Sequence, residues 1–177
     1  MTTQEFLAGL TGQTDDWRRA IEALRASGQP FCLIGGLAVN QYVEPVVTLD
    51  ADFAVVAAAG VAAALQAGGF QVTEQPHSIN AQYPGSRLRM QITVNSRYGT
   101  FPTRAGEGEL FGVRLPIAAL DDLVQGKLWA VADPQRRASK KAKDKADLIR
   151  ICETHLRCVA LIPPGLIPEV DALREPA

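Results

Sequence analysis

Cysteine is scarce and scattered. Cys32, Cys152 and Cys158 are the only three, and no two form a CxxC pair. This spacing excludes a zinc ribbon or a dithiol redox motif, and an odd count gives no closed disulfide framework. The three are expected as reduced, mostly buried core residues. An excess of one charge is also missing, because 18 Lys plus Arg face 19 Asp plus Glu for a net charge of −1. That balance excludes a chain-wide electrostatic footprint for nucleic acid, so any basic patch must be local. No run approaches the roughly 18 consecutive apolar residues of a membrane helix. The opening Met1-Thr2-Thr3-Gln4-Glu5-Phe6 lacks a basic region followed by an apolar one. The expectation is a cytoplasmic protein with no membrane partner.

What is there is ordinary for a globular chain: 177 residues, 47% hydrophobic and 21% charged, enough for one well-buried core. The sequence reads as one domain over residues 1–177, with a core of about 30–115 and a helical part of about 116–177. There is no internal repeat and no convincing linker.

Trp17, Ile21 and Leu24 at helical spacing before Gly28 and Pro30 predict a helix over 14–27. A short buried strand is expected over 31–34, a helix over 37–43 ahead of Pro45, a strand over 49–56, and an Ala-rich helix over 58–67 that stops at Gly68-Gly69. Strands are expected over 70–73 and 87–94, with loop or hairpin between them. In the second, Leu88, Met90, Ile92 and Val94 alternate with Arg87, Arg89, Gln91 and Thr93, the period-2 pattern of a half-buried strand. One more short strand is placed at 111–115, then helices over 119–131, 135–156 and 166–174. The fold class is α/β, a mixed sheet flanked by helices.

The stretch from residue 34 to residue 53 carries the chemistry. Ile34-Gly35-Gly36-Leu37-Ala38-Val39-Asn40 closes an apolar strand with paired glycines, and Asp50-Ala51-Asp52-Phe53 follows in a second strand. Side chains alternate along a strand, so Asp50 and Asp52 share a face while Ala51 and Phe53 take the other. Two carboxylates so placed offer hard oxygen ligands that suit Mg2+, or Mn2+. Backbone amides at Gly35 and Gly36, with no Cβ in the way, can approach phosphate oxygens. Alone, Gly-Gly is more often a tight turn and Asp-x-Asp a solvated strand face; together they read as complementary halves of a site for a metal-bound triphosphate.

This combination resembles the nucleotidyltransferase fold superfamily, whose signature is an apolar residue, Gly-Gly or Gly-Ser, about ten residues, then Asp-x-Asp or Asp-x-Glu. It looks most like the small prokaryotic branch related to the AbiEii-type toxins. The later segment from Asp122 to Ala130, with Lys127, then Arg136-Arg137 and Lys143-Asp144-Lys145-Ala146-Asp147-Leu148, is similar to that branch's helical motif. The resemblance covers about residues 30–155. It implies that Asp50 and Asp52 hold the metal, that Gly35 and Gly36 receive the triphosphate of a nucleoside triphosphate, and that Lys127 with Lys143 or Arg137 neutralises phosphate charge. Asp144 and Asp147 would orient these cations or the acceptor.

Six basic residues fall within 136–145. Positive charge at a helix N-terminus opposes the dipole, so the bland reading of a solvated helix tied by a Lys143–Asp147 pair competes with an anionic partner such as a tRNA end. Active members of the superfamily carry a third carboxylate on a neighbouring strand; here Gln91 or Thr93 takes that place, and neither ionises to a ligand or base. Asp144 is a candidate surrogate. His77 is placed in a loop and His155 on an apolar stripe as a core histidine. Two functions follow as expectations. One is nucleotidyl transfer from a magnesium nucleotide to an RNA, protein or small-molecule acceptor, with a toxin role and an antitoxin-like partner suggested by the branch. The other is a noncatalytic descendant that binds nucleotide or protein.

Overall fold

A computed structural model describes residues 15–48 and 50–174. Helix α1, Asp15–Ala26, places acids in its first turn and Arg25 in its last, as the helix dipole favours, and buries Trp17, Ala20, Ile21 and Leu24. Strand β1 is Phe31–Ile34, and the short helix α2 is Gly35–Val39. Strand β2, Asp50–Val55, follows a loop, and helix α3, Val61–Ala67, starts after Gly60. Strands β3 (Gln71–Gln75), β4 (Ser78–Gln82) and β5 (Arg89–Thr93) come next, then the one-turn helix α4 (Phe101–Arg104) and strands β6 (Gly106–Leu110) and β7 (Val113–Ile117). Helices α5 (Leu120–Ala132) and α6 (Ala138–Thr154) lead to a 3-10 segment, Leu156–Leu161, and to α7, Pro168–Asp171.

The seven strands form one sheet in the order β3-β4-β5-β2-β1-β7-β6. β1 with β7 and β2 with β5 run parallel, and the other neighbours are antiparallel. Alternation divides the sheet. Leu33 stands beside Phe53 and Phe53 beside Ile92 on one face, where Trp17 of α1 stacks on Phe53 at 6.0 Å between centroids. Ile34 stands beside Asp52 and Asp52 beside Gln91 on the other. Helices α5 and α6 pack together and join α2 in bounding a cleft over that second face. The buried residues of sheet and helices form one apolar cluster that includes Cys32, Cys152 and Cys158, all three free thiols as expected. Burial pushes the Cys32 thiol up to about 12 and that of Cys152 to about 11.

The mixed sheet with flanking helices agrees with the sequence reading, and the differences are local. The expected helix over 37–43 instead begins at Gly35 and ends at Val39, so the paired glycines form its first turn. Of the stretch 74–86, expected as loop or hairpin, residues 74–82 complete a hairpin of Gln71–Gln75 with Ser78–Gln82, registering Thr73 against Asn80 and Gln71 against Gln82; few apolar residues mark it. The strand placed at 111–115 is displaced to Val113–Ile117, because Phe111 (φ 53°) and Gly112 (φ 73°) are the turn of a hairpin whose other strand, β6, is the apolar-poor Gly106–Leu110. The helix expected over 166–174 is a single α turn followed by a 3-10 turn. Residue 14 of the first expected helix and residue 49 of the acid strand lie outside the described residues.

Candidate active site

The cleft holds about 910 Å3 and brings together Gly35, Gly36, Asp50, Asp52, Lys127, Arg137, Lys143 and Asp144. Asp147 lies behind it, buried beneath Lys127. Asp50 and Asp52 project to the same side of β2, as their spacing requires. Gly35 has φ 69°, and a Cβ there would lie 2.2 Å from Asp52 Oδ2. Both the left-handed backbone and the contact demand glycine, so the first glycine serves the acid behind it. The second is different. A Cβ on Gly36 would meet Thr48 Cγ2 at 3.5 Å and Lys143 Nζ at 3.8 Å, ordinary contact distances. Gly36 is itself buried in the cleft wall, packed against Thr48 and faced by the Lys143 ammonium group.

Asp52 keeps part of its surface toward the cleft, yet desolvation raises its carboxyl above the ordinary value; Lys127 opposes that rise and the neighbouring Asp50 adds to it. Asp50 is more open. Its Oδ1 lies 2.7 Å from Arg89 Nη2 and its Oδ2 3.3 Å from Lys140 Nζ. Arg89 reaches it because β5 runs parallel to β2 with Arg89 in register with Asp50. The same register puts Gln91 beside Asp52, so an amide stands directly next to the acid pair, while Thr93 stands beside Ala54. Among the described residues, no group of three or more His, Cys, Asp or Glu side chains is arranged to hold a metal.

Lys127 sits in a buried network. Its ammonium donates to Asp144 Oδ1 at 2.9 Å and to Asp147 Oδ2 at 2.6 Å. Asp144 Oδ2 accepts from Arg136 Nε at 2.5 Å, and Asp147 Oδ1 accepts from Arg150 Nη1 at 2.8 Å. Burial alone would lower the lysine pKa, but Asp147 and Asp144 outweigh it and hold the group above the ordinary lysine value. Arg150 continues to Asn40 Oδ1 at 3.2 Å and to the Glu44 carbonyl. Asn40 in turn clamps Val46, accepting from its N–H at 3.0 Å and donating to its carbonyl at 2.7 Å. The network thereby fixes the loop joining the glycine turn to the acid strand.

The second motif is therefore divided in role. Lys127, Asp144 and Asp147 satisfy one another, and both Asp144 oxygens are taken by cations, Lys127 and Arg136, which leaves none spare for a surrogate third acid. Lys143 makes no i,i+4 pair with Asp147; its Nζ lies 3.4 Å from Thr48 Oγ1, at the glycine turn. Arg137 is exposed at the cleft rim, at the start of α6. His77 occupies the β3–β4 turn and lines the cleft, whereas His155 Nε2 donates to the Tyr42 carbonyl at 2.8 Å. Arg89 and Lys140 were absent from the expected site. Arg89 was legible on the polar face of its alternating strand, but its pairing with Asp50 depends on strand order. Arg150 had no signal at all, since its partner Asn40 is 110 residues away.

No protein-family profile matches the chain, and no curated protein matches it either. Solved structures do. ANT(2")-Ia in complex with adenylyl-2"-tobramycin superposes with a TM-score of 0.56 at 15% identity, covering 93% of this chain and 98% of that one. The lincosamide antibiotic adenylyltransferase LnuA, lincomycin-bound, gives 0.51 at 13% identity over 77% of this chain and 96% of its own. An antigenic nucleotidyltransferase-like protein from Paracoccidioides brasiliensis gives 0.51 at 15% identity, covering 93% and 87%. The chain has the nucleotidyltransferase fold. No helix among the described residues is long and apolar enough to cross a membrane.

Proposed function

We propose that the chain is a nucleotidyltransferase that moves a nucleotidyl group from a magnesium-bound nucleoside triphosphate to a hydroxyl acceptor. The observation that carries this reading is one constellation: Asp50 and Asp52 on one strand face, the Cβ-free glycine turn lining the same cleft, and Lys143 Nζ facing Gly36. Two carboxylates fit a divalent ion of the Mg2+ or Mn2+ kind when phosphate oxygens and water complete its shell. Such an ion supplies charge neutralisation and alignment of the reacting phosphate. The residues do the rest. Gly35 and Gly36 offer amides to phosphate oxygens, and Lys143 with Arg137 neutralises them. Arg89 and Lys140, which cover Asp50 in the free protein, are long and partly exposed and turn from the carboxylate to the incoming triphosphate. The acceptor oxygen bonds to the α-phosphorus as the α–β anhydride bond breaks, pyrophosphate leaves with the electron pair, and the hydroxyl proton passes to water. Lys127 acts on the cleft through Asp144 and Asp147 as a positioning residue.

The test is label transfer from each of the four ribonucleoside triphosphates to protein, RNA and small-molecule acceptors. Wild type is expected to transfer, and Asp50→Ala with Asp52→Ala to abolish it; equal signals from the two proteins would sink the reading. One observation favours a second reading. Gln91 occupies the register position beside Asp52, so a protein that binds Mg–nucleotide without turnover, as a nucleotide-binding or protein-interaction module, is the alternative. Calorimetric binding with no label transfer would establish it. Kinship with the AbiEii-type branch rests on the order Lys127, Arg136, Asp144, Asp147. A toxin of that kind, cytoplasmic and held by an antitoxin-like partner, would arrest growth on expression in an Asp50-dependent way, and harmless expression would remove that role.

A further inference from the structure

The cleft has two unlike walls. Its α6 side carries Arg136, Arg137, Lys140 and Lys143. Its floor, the half-sheet β3-β4-β5 beyond the acids, is made of uncharged hydrogen-bonding side chains. The registers Thr73–Asn80–Gln91 and Gln71–Gln82–Arg89 run across the three strands on the face that Asp52 shares, with Ser78 and Thr93 paired beside them. Alternation sends Glu74 to the other face, so the three strands present no carboxylate to the cleft. Arg89 is the one cation they present among the described residues, and Asp50 holds it.

The remaining acids of the cleft lie off this floor, and the two buried ones are committed to cations. Asp122 takes Arg104 through both oxygens at 3.0 and 2.6 Å, and Asp144 takes Lys127 and Arg136; Asp133, exposed at the end of α5 and off the floor, accepts the Gln135 backbone N–H through one oxygen. A polycationic acceptor would find no free carboxylate on the floor, and an anionic one would find its cations on the opposite wall. Gln82 of the same floor donates to the Ser86 carbonyl at 2.7 Å, but the Asn80 and Gln91 amides each both donate and accept, and neither side chain has a protein partner among the described residues. Paired donor and acceptor groups match hydroxyls, which also do both.

We infer that the β3-β4-β5 floor is the acceptor subsite, and that the acceptor is an uncharged polyhydroxylated molecule, a sugar or cyclitol. This rests on the nucleotidyl-transfer reading of the neighbouring acids, and it adds what that reading leaves open. Nuclear magnetic resonance tests it with the full chain, Mg2+ and a nonhydrolysable nucleotide triphosphate. The probes are glucose, trehalose and myo-inositol, with tobramycin as the polycation and a short RNA ending in a free 3′-hydroxyl as the polyanion. At least one neutral polyol is expected to shift the Asn80 side-chain amide saturably, and Asn80→Leu with Thr73→Val to weaken that binding at least tenfold. Nucleotide affinity should stay within twofold in that variant. Shifts from tobramycin or RNA alone, or silence toward the whole panel, overturn the inference. The two ideas fail separately. Polyol binding without any nucleotide binding defeats nucleotidyl transfer and leaves the floor as a sugar site, whereas label transfer only to tobramycin or RNA defeats the floor and leaves the reaction.

Discussion

Two clusters of basic and aspartate side chains border one cleft and differ in almost everything else. In the first, Lys127, Asp144 and Asp147 have side-chain exposures of 10%, 3% and 3%. In the second, Arg89, Lys140 and Asp50 stand at 61%, 40% and 27%. A buried charge must be fully partnered or it costs several kcal/mol, so the first cluster is closed, with every oxygen of both aspartates accepting a hydrogen bond. An exposed pair is worth about 0–1 kcal/mol and exchanges readily with water or another ion. The second cluster is thus free to trade partners, as the proposed entry of a charged substrate would require. Burial, more than residue identity, separates the closed cluster from the open one.

Removing the closed cluster's cation gives the largest expected effect. Lys127→Ala leaves two carboxylates buried with unbalanced charge and should lower unfolding free energy by about 3–5 kcal/mol, read by urea titration. Adding Asp144→Asn and Asp147→Asn to Lys127→Met should recover much of that loss, since the arginines left behind are partly exposed. If the triple variant were no more stable than Lys127→Ala, the network would not be the cause. Asp50→Ala, by contrast, should change stability by less than about 1 kcal/mol while abolishing Mg–nucleotide binding by calorimetry. Comparable destabilisation by both single variants would erase the distinction between the clusters.

The paired glycines sharpen the same comparison at intermediate size. Gly35→Ala forces a side chain onto a left-handed backbone and into Asp52, with an expected cost of about 1–3 kcal/mol. Gly36→Ala meets only ordinary contacts, so its thermal midpoint should move little while nucleotide affinity drops. An equal effect of both on stability, with none on affinity, would place no ligand over Gly36.

The smallest effect is one of pH. Asp52 titrates above its unfolded value, so between those two points the folded chain binds more protons than the unfolded one and stability falls as pH rises through the window. Asp52→Asn should flatten that fall and leave the nucleotide-free protein slightly more stable at neutral pH. Binding of the magnesium nucleotide by wild type should strengthen over the same rise, as the carboxylate ionises. An unchanged slope in Asp52→Asn would assign the titration to another group. The Lys127 network runs in the same sense at the alkaline end: its raised pKa gives stability that is present below the ordinary lysine value and lost as pH climbs through the folded one.

Much of the fold could be read from local pattern. The stripe Leu148, Ile151 and Cys152 and the stripe Leu120, Leu123 and Val124 are buried as helical spacing requires, and the alternation of Met90 and Ile92 with Arg89 and Gln91 names the two faces of β5. The β3–β4 hairpin and β6 were less legible because their exposed faces outnumber their buried ones, leaving little periodic signal. Within the site, Asp50 and Asp52 were legible because two residues of a strand share a face whatever surrounds them. Lys127 was legible as a charged residue beside the cleft, but the depth of its burial was not.

The sequence by itself determined the local pieces: an acid pair on one strand face, glycines where a backbone must turn, and a basic helix start near residue 140. Periodicity and backbone sterics act within a few residues, so these needed no knowledge of distant contacts. Only the tertiary structure decided which charges meet. Strand order set Arg89 against Asp50 and Gln91 against Asp52, and the packing of α5 on α6 shut Lys127 between two aspartates while leaving Lys143 over Gly36. Electrostatic energy depends on separation in space and on exclusion of water, and neither is written along the chain.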